Sequence, residues 1–572
     1  MTTPLYSFGK KYAASQWRFY LSGTLALIVT NIIVLEIPQL AKQVINALAD
    51  QRSLDSLTLT ALAVIGLGCA QVLIRTASRM LIFWPGRTLE AAVKEDVFVH
   101  ILRSALGKLA DFSTGDLTSR LNNDVTQLRI FFAFGVLQVL NVICISIFTV
   151  SKMASISASL TALSIAPMFL MLAITRAMMP RLYASMRQNT ESLGRLTGKV
   201  SEAFSHVHTI QMMNAVDTLT DKMRPENDAI FESNIRTIKL RTLTWPLMIV
   251  LIGISQFATL AWGGKLVISG ALTVGDIMAF NIYIGMLTFP FASLGIILNV
   301  YQRAKPASER LRAITDLPTE RADATSTAAL THTQPLLAVE RLTFEWPDAR
   351  AGVRDISFEI RPGERVGVFG SIGSGKSTLF NLLTKLYEPS SGAARLNGID
   401  TRELSHDAVR RSVAYGLQQP LLFSESVKDN LLLGLDESQE TIRLMEDACR
   451  RAMILPDIER MPQKWDTLIG EKGIKLSGGQ KQRLSLARLL MRPANLIILD
   501  DVLSAVDHET EQNLIASLLN TKAALIIASH RPSILVPCDK ILVMDKGRIV
   551  AQGTYGEVRH LIESRELRGG DA

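Results

Sequence analysis

Six apolar runs fill the first half of this chain and limit what it can fold into: Phe19–Leu40, Leu57–Val72, Phe131–Val150, Leu160–Met179, Leu243–Trp262 and Ile277–Val300. A membrane span takes about 20 mostly apolar residues. In hydrocarbon every backbone polar group needs an internal partner, and a helix supplies those partners within one segment. The remainder of the 572 residues is much more polar, so the mean hydropathy of +0.23 averages two unlike halves. A chain of this length exceeds one hydrophobic core. The pattern predicts an α-helical membrane domain over 1–317, a linker over 318–335 that is polar and rich in Ala and Thr, and an α/β domain over 336–572.

Charge orients the first half. The second-to-third and fourth-to-fifth connections are long and basic, with Arg87, Lys94, Arg103, Lys108, Arg120, Arg187, Arg195, Lys199, Arg236 and Arg241. The short connections near Asp50–Asp55, Lys152 and Gly263–Lys265 carry few cations, so the long connections and both termini are expected in the cytoplasm. The net charge of +8 is accounted for in this way and predicts no nucleic-acid partner. Lys10, Lys11 and Arg18 precede the first run without a cleavage-site pattern, which reads as an uncleaved first span starting inside. Apolar residues recur at helical spacing through Leu89–Leu109 and Leu193–Met213, so membrane helices are expected to continue into the cytoplasm as hairpins. The tips are expected around Phe112–Val125 and Gly194–Ala203.

Polar residues within the spans, Asn31, Glu36, Gln71, Asn141, Gln256 and Asn281, are candidates for lining a pathway, because unpaired polar groups are costly in hydrocarbon. Arg75 and Arg79 lie one helical turn apart. They either face an anionic cargo or, at the end of the second span, reach the inner interface along their apolar stems. Met248, Met278 and Met286 serve packing or an adaptable binding wall. The four cysteines, Cys69, Cys144, Cys449 and Cys538, are widely spaced without a CxxC pair and are expected to be reduced.

The second half handles nucleotide. Gly370-Ser371-Ile372-Gly373-Ser374-Gly375-Lys376-Ser377-Thr378 is a G-x-x-x-x-G-K-S phosphate loop. It lies between a short apolar strand, Arg365–Phe369, and a helix over Ser377–Leu386, which is the context such a loop needs. Backbone amides and the helix N-terminus favour phosphate, Lys376 reaches the β/γ oxygens, and Ser377 is a Mg²⁺ ligand. A second apolar strand, Leu496–Leu499, ends in Asp500, placed to hold Mg²⁺ directly or through water. His530 closes a third, Ala524–Ala528, as a γ-phosphate sensor or a structural histidine. Trp346 stands near the end of the strand Leu336–Phe344, available for stacking on a base or for packing.

In this order, behind a membrane half, the motifs resemble those of an ABC transporter half-molecule of the exporter fold (type IV), over nearly the whole chain. The resemblance implies that Trp346 stacks on adenine, that Gly370, Ser371, Gly373, Ser374, Gly375, Lys376, Ser377 and Thr378 form the Walker A loop, and that Gln418 is the Q-loop glutamine beside Mg²⁺. It implies that Asp500 is the Walker B aspartate, Ser504–Asp507 the D-loop and His530 the switch histidine. Thr467–Gly473 looks like the x-loop, Ser477, Gly478, Gly479 and Gln480 belong to the signature, and Phe112–Val125 is similar to the first coupling-helix region. The cofactors implied are ATP and Mg²⁺, with two ATP molecules sandwiched between two half-molecules.

One position departs from that pattern. The family places a catalytic glutamate after the Walker B aspartate, and this chain has Asp501, one methylene shorter. Related chains with this aspartate are commonly the slow-site subunit of a heterodimer, which makes a second, different half-transporter the expected partner, with a homodimer as the alternative. The expected activity is ATP-driven export of an amphipathic small molecule, lipid or peptide across a bacterial inner membrane. An importer of the same fold, for example for a metal-chelate, and a non-transporting ATP-gated regulator are the alternatives, since fold does not fix direction.

Overall fold

A computed structural model describes residues 3–49, 54–320, 335–346, 352–503 and 507–569. Packing separates the chain into two compact units, Met1–Leu102 with Phe112–Asp316, and Arg103–Asp111 with Leu317–Ala572.

The first unit is helical. Its six main helices are α1 (Trp17–Ala49), α2 (Leu54–Arg103), α3 (Val136–Ile156), α4 (Ala158–Ser205), α5 (Val216–Ile268) and α6 (Val274–Thr315). Among the described residues six helices are long and apolar enough to cross a membrane, one at each apolar run of the sequence. The 50-residue α2 and 53-residue α5 exceed what a span needs. At 1.5 Å per residue each is about 75 Å or more long, against a hydrocarbon core of about 30 Å. Three of the polar positions pair here: Asn31 is buried and its Nδ2 donates to Asn141 at 3.4 Å, while Glu36 accepts from Lys152 at 2.9 Å. Asn281 instead donates to Ile277 O within its own helix.

Several boundaries differ from the sequence reading. Lys152 and Gly263–Lys265 lie inside helices, and the turns come later, at Ser157 and at Ser269–Thr273. Each turn is followed by a capping side chain: Ser157 accepts from Leu160 N, and Thr273 forms a capping box with Asp276. Gly194–Ala203 is not a tip either. The helix continues through it to Ser205, because an isolated glycine costs a helix only about 1 kcal/mol, and Gly194 and Gly198 stand among good helix formers. The chain turns instead at His206–Ala215, around the short helix Val207–Met212 and Asn214, whose φ is +50°.

Antiparallel α4 and α5 are held in one register by polar pairs. Ser164 pairs with Thr259 at 2.7 Å, Ser185 with Thr237 at 2.8 Å, Asn189 with Asn234 at 2.7 Å and Lys199 with Glu226 at 2.7 Å.

The second unit contains two sheets. One is antiparallel, in the order β2-β1-β4-β5: β1 (Leu337–Phe344), β2 (Val353–Ile360), β4 (Ser391–Leu396) and β5 (Ile399–Asp400). The other follows the order β10-β9-β3-β8-β7-β6, with β3 (Arg365–Gly370), β6 (Val413–Gly416), β7 (Leu496–Asp500), β8 (Ala524–Ala528), β9 (Lys540–Asp545) and β10 (Arg548–Gly553). Strands β3, β8, β7 and β6 are parallel neighbours, and β7 and β8 are buried along their whole length. That explains their unbroken Ile/Leu/Ala character. The carboxyl ends of these strands carry Gly370, Asp500 and the Ser529–His530 turn to one edge, where an open α/β sheet places its ligand. The fold is therefore a helical unit with helices of membrane-spanning length and apolarity followed by an α/β unit. Of the predicted linker, residues 321–334 lie outside the described residues. All four cysteines are free, and burial pushes the Cys449 and Cys538 thiols up to about 12.

Candidate nucleotide site

After β3 the chain turns through Ser371–Gly375 and enters helix α7 (Lys376–Leu383). The turn needs glycine at Gly373 and Gly375, whose φ angles are +81° and +100°. Gly370 is required for space, since a β-carbon there would come to 2.6 Å from Met544 O. Lys376 is buried, and its Nζ donates to Gly370 O at 2.6 Å and Ser371 O at 3.1 Å. The ammonium thus curls back over the loop. Burial holds its pKa below the usual lysine range, while Asp500 and Asp501 act in the opposite direction. Ser374 Oγ is buried without a hydrogen-bond partner.

Asp500, at the end of β7, is buried and accepts from the Ser377 hydroxyl and, at 3.4 Å, from Tyr415 Oη. Burial pushes its carboxyl above the usual range. Ser377 and Asp500 thus form an oxygen pair beside the loop, a donor set that suits a hard cation. No group of three or more His, Cys, Asp or Glu side chains with metal-binding geometry occurs among the described residues. A Mg²⁺ held here would complete its coordination with phosphate oxygens and water.

Asp501 follows with φ +49°, in the left-handed region that aspartate tolerates better than most residues. Burial raises its pKa, with Asp500 adding to the effect and His530 opposing it. His530 lies two residues beyond β8, and the partial burial of its ring together with Lys376 keeps its pKa below the usual histidine value. The β3–β7–β8 edge thus brings together Lys376, Ser377, Asp500, Asp501 and His530. Gln418 lies two residues beyond β6 and is exposed. Trp346 lies two residues beyond β1; its Nε1 donates to Thr378 Oγ1 at 3.4 Å, and its ring meets those of Phe344 and Tyr387 at 5.1 and 4.9 Å.

Ser477-Gly478-Gly479-Gln480 opens helix α8 (Gly478–Leu490) at an exposed N-terminus. Ser477 and Gln480 form a capping box, and Gln480 Nε2 also donates to Asp457 at 2.9 Å. Of the predicted D-loop, Ser504–Val506 lies outside the described residues; Asp507 caps helix α9 (His508–Leu519) by accepting from Thr510 N. The Thr467–Gly473 segment pairs with Glu425–Val427 through Val427 N to Thr467 O and Ile469 N to Glu425 O.

Some neighbours had no local signal in the sequence. Glu511, fully buried on α9, accepts from Arg531 and from Ser533 Oγ, tying the turn that carries His530 to the helix that Asp507 starts. Tyr415, on β6, whose hydroxyl donates to Asp500, likewise had no local signal. The segment that packs with the ATPase unit from the first hairpin is Arg103–Asp111, just before the expected Phe112–Val125. Ala105 N donates to Pro318 O, Glu320 N donates to Arg103 O, and a β-carbon on Gly107 would touch the Tyr387 ring at 3.4 Å. Phe112–Val125 lies in the helical unit, where Ser113 caps a short helix and buried Asp124 pairs with Arg310.

A multi-span helical unit followed by an α/β unit with this loop-and-carboxylate edge defines a membrane-embedded nucleotide-binding protein. The ABC transporter transmembrane region family matches residues 20–291, and the ABC transporter family matches residues 353–504. The chain is 30% identical over 556 residues to the probable multidrug resistance ABC transporter ATP-binding/permease protein YheI of Bacillus subtilis, covering 95% of this chain and 93% of that one. It is 28% identical over 548 residues to the multidrug resistance-like ATP-binding protein MdlA of Escherichia coli, covering 95% and 92% respectively. A bacterial Atm1-family ABC exporter solved with ATP bound superposes with a TM-score of 0.81 at 22% identity, over 96% of this chain and 99% of that one. The chain belongs to the ABC transporter family, as a half-molecule with one transmembrane region and one ATPase domain.

Proposed function

We propose that this chain is one half of a dimeric exporter that uses ATP to move a small amphipathic molecule, lipid or peptide out of the cytoplasm across a bacterial inner membrane. The observation that carries the reading is the residence of Arg103–Asp111, the tip of the first membrane hairpin, in the compact unit that holds the phosphate loop. Nucleotide-dependent movement of that unit therefore acts on a segment covalently continuous with α2. The names of the relatives, multidrug resistance proteins of Bacillus subtilis and Escherichia coli, support export over the alternatives of an importer or a non-transporting regulator.

In this reading Trp346 stacks on adenine, and the amides of Gly370, Ser371, Gly373, Ser374 and Gly375 with Lys376 and Thr378 cradle the phosphates. Ser377, Asp500 and Gln418 would hold a Mg²⁺, which would supply positive charge to offset the negative charge of the phosphates. Asp501 orients the attacking water and His530 contacts the γ-phosphate. Ser477, Gly478, Gly479 and Gln480 close over the partner's nucleotide with the exposed α8 N-terminus. ATP favours the closed dimer, and hydrolysis releases it.

A dimer is supported by two further features. A multidrug efflux protein of Mycobacterium tuberculosis matches 96% of this chain over only 46% of its own length, leaving room there for a second half. At the second hairpin's tip, Phe204, Met212 and Met213 are 74%, 87% and 75% exposed, an apolar end that a partner subunit would cover. Asp501 favours a different half-transporter as that partner, with this chain contributing the slower site.

The test is transport in sealed vesicles with ATP supplied on one side. ATP-driven movement of an amphipathic dye away from the side that bears the ATPase domain supports the proposal, and movement toward that side would establish import. Absence of both substrate movement and substrate-stimulated hydrolysis would leave a regulator. Tyr387→Ala provides a finer check, because Tyr387 touches both Trp346 and the Gly107 segment. It should lower transport per ATP hydrolysed about tenfold, within the usual range of coupling energies, while hydrolysis itself changes little.

A further inference from the structure

We propose that the N-terminal segment, together with the entry to α3, forms a binding site for an anionic phospholipid of the cytoplasmic leaflet. A cavity of about 620 Å³ lies between residues 3–20 and 131–136, within the range typical of small-molecule sites. Its floor is apolar and aromatic, with Leu5, Ala13, Tyr20, Phe131, Phe132 and Val136. The floor is rigidly built: Tyr20 Oη donates to Phe132 O at 2.8 Å, and Gly9 is needed because a β-carbon there would meet the Phe132 ring at 3.1 Å.

Both walls are π-helical turns, Gly9–Ala13 and Phe131–Gly135. Such wide turns are uncommon and concentrate at functional sites.

Position and charge identify the occupant. The cavity stands at the start of the first span, on the cytoplasmic side by the distribution of Lys and Arg. Its rim residue Trp17 begins a row of exposed apolar side chains at helical spacing, Leu21, Leu25 and Val29. The mouth is thus continuous with a face suited to acyl chains. The polar rim is cationic: Lys10 lines it and is exposed, with no ion pair among the described residues, and Arg18 stacks over the Trp17 ring. Lys11 is already paired with Asp96 at 2.7 Å. An apolar slot with an unpaired ammonium at its polar end suits an acyl chain bearing a phosphate headgroup. Interfacial aromatic residues and lysines are the usual recognition elements for anionic lipid.

The inference does not depend on the direction of transport. It is tested by native mass spectrometry of the full-length protein titrated with palmitoyl-oleoyl phosphatidylglycerol or phosphatidylcholine. The wild-type protein should retain tightly bound phosphatidylglycerol in preference to phosphatidylcholine by about fivefold, the contribution expected of one well-placed lysine. Ala14→Trp, at an exposed position on the cavity wall, should lose that tight lipid. Lys10→Glu should keep an apolar occupant and lose the headgroup preference. Unchanged phosphatidylglycerol retention in Ala14→Trp, or unchanged preference in Lys10→Glu, would overturn the site. So would a second copy of the chain displacing lipid from this face. Should Ala14→Trp fail to fold, a photoactivatable phosphatidylglycerol on the wild-type protein decides. Labelling concentrated in residues 3–20 and 131–136 supports the site, and labelling spread evenly over all six spans refutes it.

Discussion

Lys376→Ala should weaken ATP binding at this chain's own site by about two orders of magnitude, the upper end for losing a hydrogen bond to a charged partner. The lysine is buried in the loop, with its ammonium held on Gly370 O and Ser371 O and its pKa lowered by desolvation. Such a group is partly stripped of water before nucleotide arrives. Exchanging two carbonyl acceptors for anionic phosphate oxygens therefore gains more than the same contact would on an open surface. Alanine removes the positive charge and leaves those carbonyls facing the phosphates. Titration of the purified chain with a fluorescent ATP analogue measures the effect directly, free of any partner's activity. An affinity within about threefold of wild type would remove Lys376 from the phosphate-binding role, since an ordinary surface substitution falls in that range.

The second large effect is a contrast between two substitutions in the assembled transporter. Asp501→Asn should change total hydrolysis by less than about threefold if this site is already slow, whereas loss of a working general base costs about 10²–10⁴-fold. Ser477→Ala should lower hydrolysis by about 10-fold or more, within the range seen when one donor to a developing charge is removed. The asymmetry follows from what each residue serves. Asp501 sits near this chain's own Lys376 and His530, with a left-handed backbone, and in the proposed reading its shorter side chain makes this the slower site. Ser477 caps an exposed helix end, which in the proposed dimer closes over the partner's nucleotide. Steady-state phosphate release from the complex purified from its own host is the measurement. Equal, severe losses from both substitutions would make Asp501 the working residue of both sites and the complex a homodimer.

Those two residues also indicate how much could be read without coordinates. The phosphate loop, Asp500 and the spans were legible because each depends on a local pattern: glycine spacing after a strand, a carboxylate ending an apolar run, or hydrophobic length. The Tyr415–Asp500 contact, the Glu511–Arg531 tie and the meeting of Gly107 with Tyr387 depend on which distant elements become neighbours, and no local periodicity encodes that. The second hairpin's tip was misplaced for a related reason. Gly194 and Gly198 look like a turn when read singly, but α4 is stabilised along its length by pairing with α5, which overrides the local cost of glycine. At the first tip the turn before a short helix was legible, and Ser113 caps that helix, whereas the packing of Arg103–Asp111 with the second unit had no local signal.

The paired register of α4 and α5 limits how this chain can change over generations. Adding one residue to either helix would rotate everything beyond it by about 100° and advance it by 1.5 Å. Ser185, Asn189 and Lys199 would then turn away from Thr237, Asn234 and Glu226, and the hairpin's far end would face a different direction. Length changes between descendants of such a chain should accordingly come in steps near whole numbers of turns, balanced across both helices, while the bends at Ser157 and Ser269–Thr273 are free to drift. The reach of the hairpin beyond its spans is in this sense a quantised trait, inherited in units of the helical repeat.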